Sequence, residues 1–284
     1  MIMEGILKNW RGFVNEGFTE QGTPDLKYYA FDWDDNIVFM PTKIMLVDVN
    51  GEEVGMSTHG FAQYRHLIGK QEFDYEGHTI KDYATNPFRN FRVEGDQQFL
   101  NDAPDATPAV NASFNDFKEC VEGASIFAII TARGHNPETL KEGCKIYIAT
   151  RFGGIDTNKV VESIKKYKEL PNIPQELALA QTDDQLIDAY LKMCVFEPVS
   201  FNQGSAANPE QLKVIALNNF VEYVNKLAAR IRKHAIKGTK LSIGFSDDDK
   251  KNIDVMIANF GLREPTGRFR KGGRNIRIKY TGQH

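Results

Sequence analysis

The segment SIFAIIT, residues 125–131, constrains the fold most strongly because nearly every residue in it is apolar. A strand with one face in water alternates apolar and polar residues, whereas a parallel strand covered on both faces is apolar throughout. Three further strands are predicted at 26–31, 192–201 and 240–246. Helical segments separate them, so the pattern predicts an open, mostly parallel α/β sheet.

Two of the predicted helices have clear boundaries. Residues 134–153 begin as a loop and become a helix near Pro137, a residue favoured in the first helical turn. Residues 208–238 predict a long helix that ends at Gly238.

The stretch between the first two strands is too long for a simple crossover. Within it, residues 41–58 predict a hairpin that turns at Asn50 and Gly51, and an aromatic-rich irregular region follows. Near-helical spacing of apolar residues predicts a docking helix over 2–18. We therefore expect four units: an N-terminal helix and linker at 1–25, a core at 26–39 and 119–262, a cap-like α+β insertion at 40–118, and a basic C-terminal tail at 263–284.

Composition excludes several classes of protein. No stretch approaches the ~20 apolar residues of a membrane-spanning helix, and the first residues lack the apolar core of a signal peptide. We therefore expect no membrane contact and a cytoplasmic location. The three cysteines are far apart, which predicts buried thiols and neither a disulfide framework nor a zinc site.

Charge is distributed unevenly along the chain. The net charge of −3 predicts no general attraction to nucleic acid, yet residues 263–280 carry seven basic side chains and one acidic one. Two interpretations are open for this tail: a solvated end, or a contact with a nucleic-acid backbone.

Polar side chains cluster where the predicted strands end. They are Asp32 and Asp34 after the first strand, Thr131 at the end of the second with Arg133 just beyond it, and Asp247 and Asp248 after the last. Ligands of open α/β sheets bind beyond these strand ends, and buried carboxylates require partners. Because Mg²⁺ prefers oxygen ligands, the pattern predicts a site for Mg²⁺ and a phosphate.

The order of these motifs resembles the haloacid dehalogenase (HAD) superfamily. DWDDN (32–36), a strand ending in threonine, a lysine and a strand ending in an acid pair follow one another, over 26–36, 125–135 and 208–256. The acid motif DDDKKNIDVM (247–256) is similar to that of polynucleotide 3′-phosphatase domains of this superfamily. A further resemblance, to a HAD-like protein of T4-type phages, adds no function. The resemblance implies a Rossmann-like core with the insertion as a cap.

The resemblance also implies a Mg²⁺-dependent phosphohydrolase that works through an aspartyl-phosphate. Asp32 would be the nucleophile and Asp34 the general acid and base. Asp32, the backbone of Asp34 and Asp247 or Asp248 would hold the metal.

Other residues would bind the phosphate. Thr131 would donate a hydrogen bond to a phosphoryl oxygen, and Lys213 would balance charge, with Lys237 and Lys240 as alternatives. Asn36 and Arg133 are candidate substrate-binding residues, although Arg133 also suits a loop cap.

Several alternatives remain open. The DxDD run also suits a solvated turn, and Ser246 with the following aspartates suits an N-cap and first helical turn. Candidate substrates are a small phosphorylated metabolite, or a nucleotide or nucleic-acid end, which the tail and the acid motif favour slightly. A catalytically inactive HAD-like scaffold that binds nucleic acid or a protein partner is the alternative function.

Overall fold

The computed structural model describes residues 15–18, 24–150, 154–168, 174–201, 208–232, 240–261, 268–271 and 274–282. The strands are β1 (Asn15–Phe18), β2 (Pro24–Phe31), β3 (Val38–Phe39), β4 (Ile44–Asp48), β5 (Glu53–Met56), β6 (Phe73–Tyr75), β7 (His78–Tyr83), β8 (Thr107–Pro108), β9 (Phe127–Thr131), β10 (Val195–Pro198), β11 (Lys240–Asp247), β12 (Arg268–Lys271) and β13 (Arg274–Tyr280). The helices are α1 (Thr58–Tyr64), α2 (Asp96–Asp102), α3 (Ala112–Glu122), α4 (Pro137–Thr150), α5 (Thr157–Tyr167), α6 (Gln175–Leu179), α7 (Asp183–Leu191), α8 (Pro209–Arg232) and α9 (Lys250–Phe260).

The central sheet is mostly parallel, as predicted. Its strand order is β10-β9-β2-β11-β13-β12, and β10, β9, β2, β11 and β13 run in the same direction. All five residues of β9 are buried, which explains its uninterrupted apolar sequence. Helices α3 and α8 pack on β2, α4 packs on β10 and α9 packs on β11. The chain is therefore a mixed α/β protein in which the carboxyl ends of five strands lie at one edge.

The region between β2 and β9 contains a second sheet. Strands β5-β4-β7-β6 form an antiparallel sheet, and the predicted hairpin turns at Asn50 and Gly51, where Gly51 has a φ of +84°. This sheet has a small core of its own, made of Ile44, Leu46, Val54, Met56, Ile68, Ile80 and Phe91. Strands β3 and β8 pair where the chain leaves and re-enters the main unit.

The insertion ends earlier than predicted. Phe99 of α2 and Phe114 and Phe117 of α3 belong to the main core, so the predicted boundary at 118 lies inside a core helix. Of the aromatic residues in the region 72–99, Phe99 packs in the main core, whereas Phe73, Tyr75, Phe88 and Phe91 pack in the core of the inserted sheet.

The start of the described chain is a strand and not the end of a helix. Residues 15–18 pair with 24–27 of β2 in antiparallel register. Strand β9 pairs with residues 29–31 of β2, and β1 supplies backbone hydrogen-bond partners to residues 24–27 of the same strand. The rest of the helix predicted over 2–18 lies outside the described residues.

The C-terminal segment also differs from the predicted tail. Strand β13 pairs with β11 over seven residues, and β12 pairs with β13. Ile276 and Ile278 are buried while Arg277 between them is exposed. The segment is therefore a strand with the usual two-residue alternation, which its high charge made difficult to recognise in the sequence.

Among the helices of the described ranges, none has the length and apolar character needed to cross a membrane.

Candidate active site

The predicted site residues meet at the carboxyl edge of the central sheet. Asp32 directly follows β2, and its backbone N–H donates to the Ser246 carbonyl of β11 at 3.0 Å. Thr131 ends β9 and Asp247 ends β11, and both side chains are buried. The parallel register thus brings residues from the two ends of the sequence to one place.

Lys213 lies at the centre of this cluster. It belongs to the first turns of α8 and is buried, with its Nζ 2.7 Å from Asp247 Oδ2 and 3.1 Å from Asp32 Oδ2. Burial alone would lower the pKa of Lys213, but the charges of Asp247 and Asp32 outweigh it and raise that pKa. The structure places Lys213 where the sequence predicted the lysine. Lys237 and the side chain of Lys240 lie outside what the structure describes.

Asp32 has one carboxylate oxygen without a partner. Its Oδ2 faces Lys213, whereas its buried Oδ1 makes no hydrogen bond. Burial raises the pKa of Asp32 to about 8; Asp247 and Asp34 add to the increase and Lys213 opposes it. A buried acceptor without a partner costs free energy, so this oxygen marks a position that a ligand would stabilise.

The acid pair closes the cluster. Asp247 accepts hydrogen bonds from Lys213, from the Asn252 side chain and from the Asp249 backbone N–H. Burial, with the charges of Asp247 and Asp32, raises the pKa of Asp248 to about 9. Oxygen atoms of Asp32, Asp247 and Asp248 all lie within 4.8 Å of one another. An all-oxygen set of this kind suits Mg²⁺, which prefers oxygen ligands.

The helix after the acid pair begins later than the sequence suggested. Asp249, and not Ser246, caps α9 by accepting from the Lys251 backbone N–H at 2.9 Å. Asp247 and Asp248 therefore precede the first helical turn, and the helix dipole does not account for them.

Asp34 is held by Arg133. The guanidinium donates from Nε and Nη2 to the two carboxylate oxygens, each at 2.7 Å. The cation lies 4.5 Å from the ring centre of Phe91 and 4.9 Å from that of Phe99, and it is buried. Arg133 was predicted to contact substrate or cap a loop. In the structure its Nε and Nη2 donate to Asp34 and its Nη1 lies beside His135, so it positions Asp34.

A histidine and a further aspartate extend this contact. His135 Nε2 lies 3.1 Å from Arg133 Nη1, and its Nδ1 lies 2.9 Å from Asp96 Oδ1. Burial and the charge of Arg133 lower the pKa of His135 to about 4, with Asp96 opposing. The ring is therefore neutral at pH 7. Because arginine only donates, Nε2 is the acceptor and Nδ1–H donates to Asp96.

Asn36 makes hydrogen bonds inside the protein. Its side-chain amide donates to the Asp32 carbonyl and to Ser246, and its Oδ1 accepts from the Thr281 hydroxyl at 2.6 Å. Both ends of the buried amide are thus engaged by the protein, and its role in substrate binding stays a prediction. Asn36 fixes the turn after β2 to the ends of β11 and β13.

Four residues that complete the arrangement were not predicted as part of the site: Asp96, His135, Asn252 and Thr281. Asn252 stands five residues after Asp247, on the helix that the acid motif starts, and that spacing was available as a signal. The other contacts join distant segments, and no local pattern marks them.

Asp35 faces the inserted unit. It has a φ of +55°, which Asp and Asn tolerate better than most residues, and its Oδ1 accepts from the Thr58 hydroxyl of α1 at 3.0 Å. Burial and the charge of Asp34 raise the pKa of Asp35 from 3.8 to about 7. The folded state therefore binds more protons than the unfolded state in this range, and Asp35 lowers stability as the pH rises from about 4 to about 7.

Replacement of Asp35 by asparagine is expected to stabilise the metal-free protein. The substitution keeps the acceptor for Thr58 and removes the charge. We expect the free energy of unfolding to rise by about 1–2 kcal/mol near pH 8 and to change little near pH 4. Urea denaturation in EDTA at both pH values measures this. Asp74→Asn is the matched control, because exposed Asp74 also accepts from a threonine hydroxyl, that of Thr79. An equal gain in the control, or none at pH 8, would contradict the prediction.

Comparison with known proteins assigns no family. No protein-family model matches the chain, and neither a curated protein nor a solved structure matches it significantly. The chemistry of the site therefore follows from its own side chains.

Proposed function

We propose that this protein is a Mg²⁺-dependent phosphohydrolase of the HAD type that forms an aspartyl-phosphate on Asp32. The observation that carries the proposal is the Asp32 carboxylate: it lies at a strand end, has Lys213 on one oxygen and has no partner on the other. In this proposal the central sheet is a Rossmann-like HAD core and the inserted antiparallel sheet is its cap. The substrate is a nucleotide or a nucleic-acid terminal phosphate.

The carboxylates outnumber the cations in this part of the described structure. Asp32, Asp34, Asp35, Asp247 and Asp248 lie around Lys213 and Arg133. Full ionisation of these five carboxyl groups would leave an excess of negative charge in a largely buried place, which a bound divalent cation would offset. Asp32, Asp247 and Asp248 would hold Mg²⁺ with the backbone carbonyl of Asp34. When bound, the ion would reduce the repulsion between carboxylate and phosphate.

The residues suggest a two-step reaction. A carboxylate oxygen of Asp32 attacks phosphorus and the bond to the leaving oxygen breaks, while Asp34 supplies that oxygen with a proton. Asp34 then takes a proton from a water molecule, which attacks phosphorus, releases phosphate and restores Asp32. Lys213 and the Thr131 hydroxyl stabilise charge on the phosphoryl oxygens. Asp34 must loosen its pair with Arg133 to do this, and the phosphoryl dianion is a competing partner for the guanidinium.

Phosphate release by the purified protein tests the proposal. The substrates are an aryl phosphate, a panel of nucleoside monophosphates and a 3′-phosphorylated oligonucleotide, each with Mg²⁺ and with EDTA. We expect release that depends on Mg²⁺ and is greatest on one of the last two classes. If Mg²⁺ supports no release from any of them, the protein is not the enzyme proposed.

One observation favours a second function. Both oxygens of Asp34 are occupied by Arg133, as in a site that no longer transfers protons. The alternative is a HAD-like scaffold that binds nucleic acid or a protein partner without hydrolysis. The phosphate-release assay separates the two, because the scaffold gives no product.

Mg²⁺ is expected to raise the melting temperature of the wild-type protein. A ligand at one hundred times its dissociation constant stabilises by about 2.7 kcal/mol, and here it would also relieve repulsion among the carboxylates. Asp248→Asn is expected to raise the stability of the metal-free protein and to lose most of the Mg²⁺ response. Differential scanning calorimetry with and without Mg²⁺ measures both effects.

The matched control for this experiment is Asp254→Asn, which changes an exposed carboxylate on α9 that pairs with Lys250. It should retain the full response to Mg²⁺. Equal responses in the wild-type protein and Asp248→Asn would place the metal elsewhere.

A further inference from the structure

Strands β2, β11 and β13 form a basic groove on one face of the central sheet. A cavity of about 180 Å³ runs along β2, β11 and β13 and is bordered by Asp116 of α3. Its lining includes Lys27, Arg277 and Lys279, and among the described residues that line it Asp116 alone is acidic. The charge of this groove is opposite in sign to the net charge of −3 of the whole chain. The electrostatics therefore favour an anionic ligand.

The strand register explains why these side chains share one face. Tyr29 is the register partner of Gly244, and Gly244 is that of Arg277. Lys27 and Lys279 stand two residues from Tyr29 and Arg277 on the same strands, so they point to the same face. The result is a row of three basic side chains beside an aromatic ring, of which Lys279 forms an ion pair with Asp116 at 3.6 Å.

Tyr29 presents a fixed, flat surface within the groove. Its ring lies against Gly244, where a Cβ atom would come within 2.9 Å of Tyr29 Cδ1. The ring is also nearly parallel to that of Phe31, with the two planes 9° apart and the centres separated by 5.9 Å. Proteins that bind single-stranded nucleic acid combine aromatic rings with cations, because the bases stack on the rings and the phosphates contact the cations.

One end of the groove lies at the carboxyl edge of the sheet, where Phe31 and Ser246 line it. The next residues along these strands, Asp32 and Asp247, place their side chains on the opposite face, so a chain in the groove would have to pass over this edge to reach them. Lys27 stands five residues before Asp32 on β2, or roughly 16 Å along the strand. The cavity is smaller than the ~300 Å³ of typical small-molecule pockets, so it suits one base or one phosphate of a longer chain.

We propose that this groove binds single-stranded nucleic acid and directs its terminal phosphate to Asp32. The substrate class is then a polynucleotide end and not a free nucleotide. The second part of this inference rests on the proposed phosphohydrolase, whereas the binding itself does not.

Fluorescence anisotropy of a labelled dodecathymidylate without a terminal phosphate, measured in EDTA, tests the binding. We expect the double variant Lys27→Gln/Arg277→Gln to bind at least about tenfold more weakly. We also expect the magnitude of the slope of log K against log salt concentration to fall by about 1.4, because two phosphate contacts are lost. The matched control is Lys159→Gln/Lys165→Gln, which removes two exposed charges from α5 and should bind as the wild type does.

Three results would overturn the inference: no binding by the wild type at low salt, an equal loss in the control pair, or equally tight binding of poly-glutamate, which would assign the groove to an acidic protein partner. If the Lys27→Gln/Arg277→Gln variant does not fold, photo-crosslinking of the wild type to an oligonucleotide carrying 4-thiothymidine replaces it. Crosslinks at Tyr29 and its neighbours support the groove, and crosslinks confined to other surfaces overturn it.

Turnover measurements distinguish an error in the proposed groove from an error in the proposed enzymatic activity. In the Lys27→Gln/Arg277→Gln variant we expect unchanged hydrolysis of the aryl phosphate and a higher KM for the 3′-phosphorylated oligonucleotide. Oligonucleotide binding without any hydrolysis would leave the groove intact and remove the enzymatic proposal. Aryl phosphate hydrolysis without oligonucleotide binding would do the reverse.

Discussion

Asp32→Asn is expected to lower phosphate release by a factor on the order of 10³ or more on every substrate that the wild type hydrolyses. An amide cannot form the acyl-phosphate, and removal of a group that acts in bond making costs rate factors of this size. The substitution preserves volume and keeps the Lys213–Asp247 contact of 2.7 Å. Burial raises the pKa of Asp32 to about 8, so the wild-type side chain lowers stability as the pH rises from about 4 to about 8, and asparagine removes this effect. The variant should therefore melt at or above the wild-type temperature in EDTA.

The control for this variant is Asp105→Asn, at an exposed aspartate of a short 3₁₀ turn. It should retain wild-type turnover. Wild-type rates in Asp32→Asn would remove this residue from the mechanism, whereas a loss of rate accompanied by unfolding would show that Asp32 has a structural role only.

Lys213→Met is expected to destabilise the protein by about 3–5 kcal/mol at about pH 8, because the change leaves two buried carboxylates without their cation. Methionine has a similar length, so the loss reports charge and not volume. In the variant the pKa of Asp32 rises further above its unfolded value. Protonation then favours the folded state, and the deficit in stability shrinks as the pH falls towards 5. Urea denaturation at the two pH values measures this change.

A double variant isolates the electrostatic part of the effect. Lys213→Met/Asp32→Asn should recover part of the stability lost in Lys213→Met, since one of the two stranded carboxylates is then neutral. Lys159→Met, at an exposed lysine, should change stability by no more than about 0.5 kcal/mol. If Lys213→Met costs no more than this control, the buried pairing is unimportant for stability.

The sequence predicted the parts of the fold that follow local periodicity. Uninterrupted apolar residues located β9, and the Asn50–Gly51 turn located the inserted hairpin. Strand β13 was missed because its alternating charges dominate its composition, although Ile276 and Ile278 carry the buried side of the same alternation. A charge count averages over the two faces of a strand, and the pattern of positions does not.

The candidate site was predictable to the extent that it depends on strand ends. Asp32, Thr131 and Asp247 come together because parallel strands end at one edge, and Lys213 lies on the helix before the last of these strands. The partner of Arg133 was not predictable. A basic residue near a phosphate site contacts the substrate or a neighbouring carboxylate, and only the packing of Phe91 and Phe99 around the cation decides in favour of Asp34.

The hydrogen bonds of Thr281 have a consequence for the order of events during synthesis. Its hydroxyl donates to Asn36 and its backbone N–H donates to the Asp247 carbonyl, so the turn that carries Asp32 is supported by a residue made 245 positions after Asn36. Asp32 remains without this support until Thr281 has been translated. The carboxylates of Asp32 and Asp247 can therefore meet only after the residues between them have been translated, and the turn that carries Asp32 gains its last support only when Thr281 has been made.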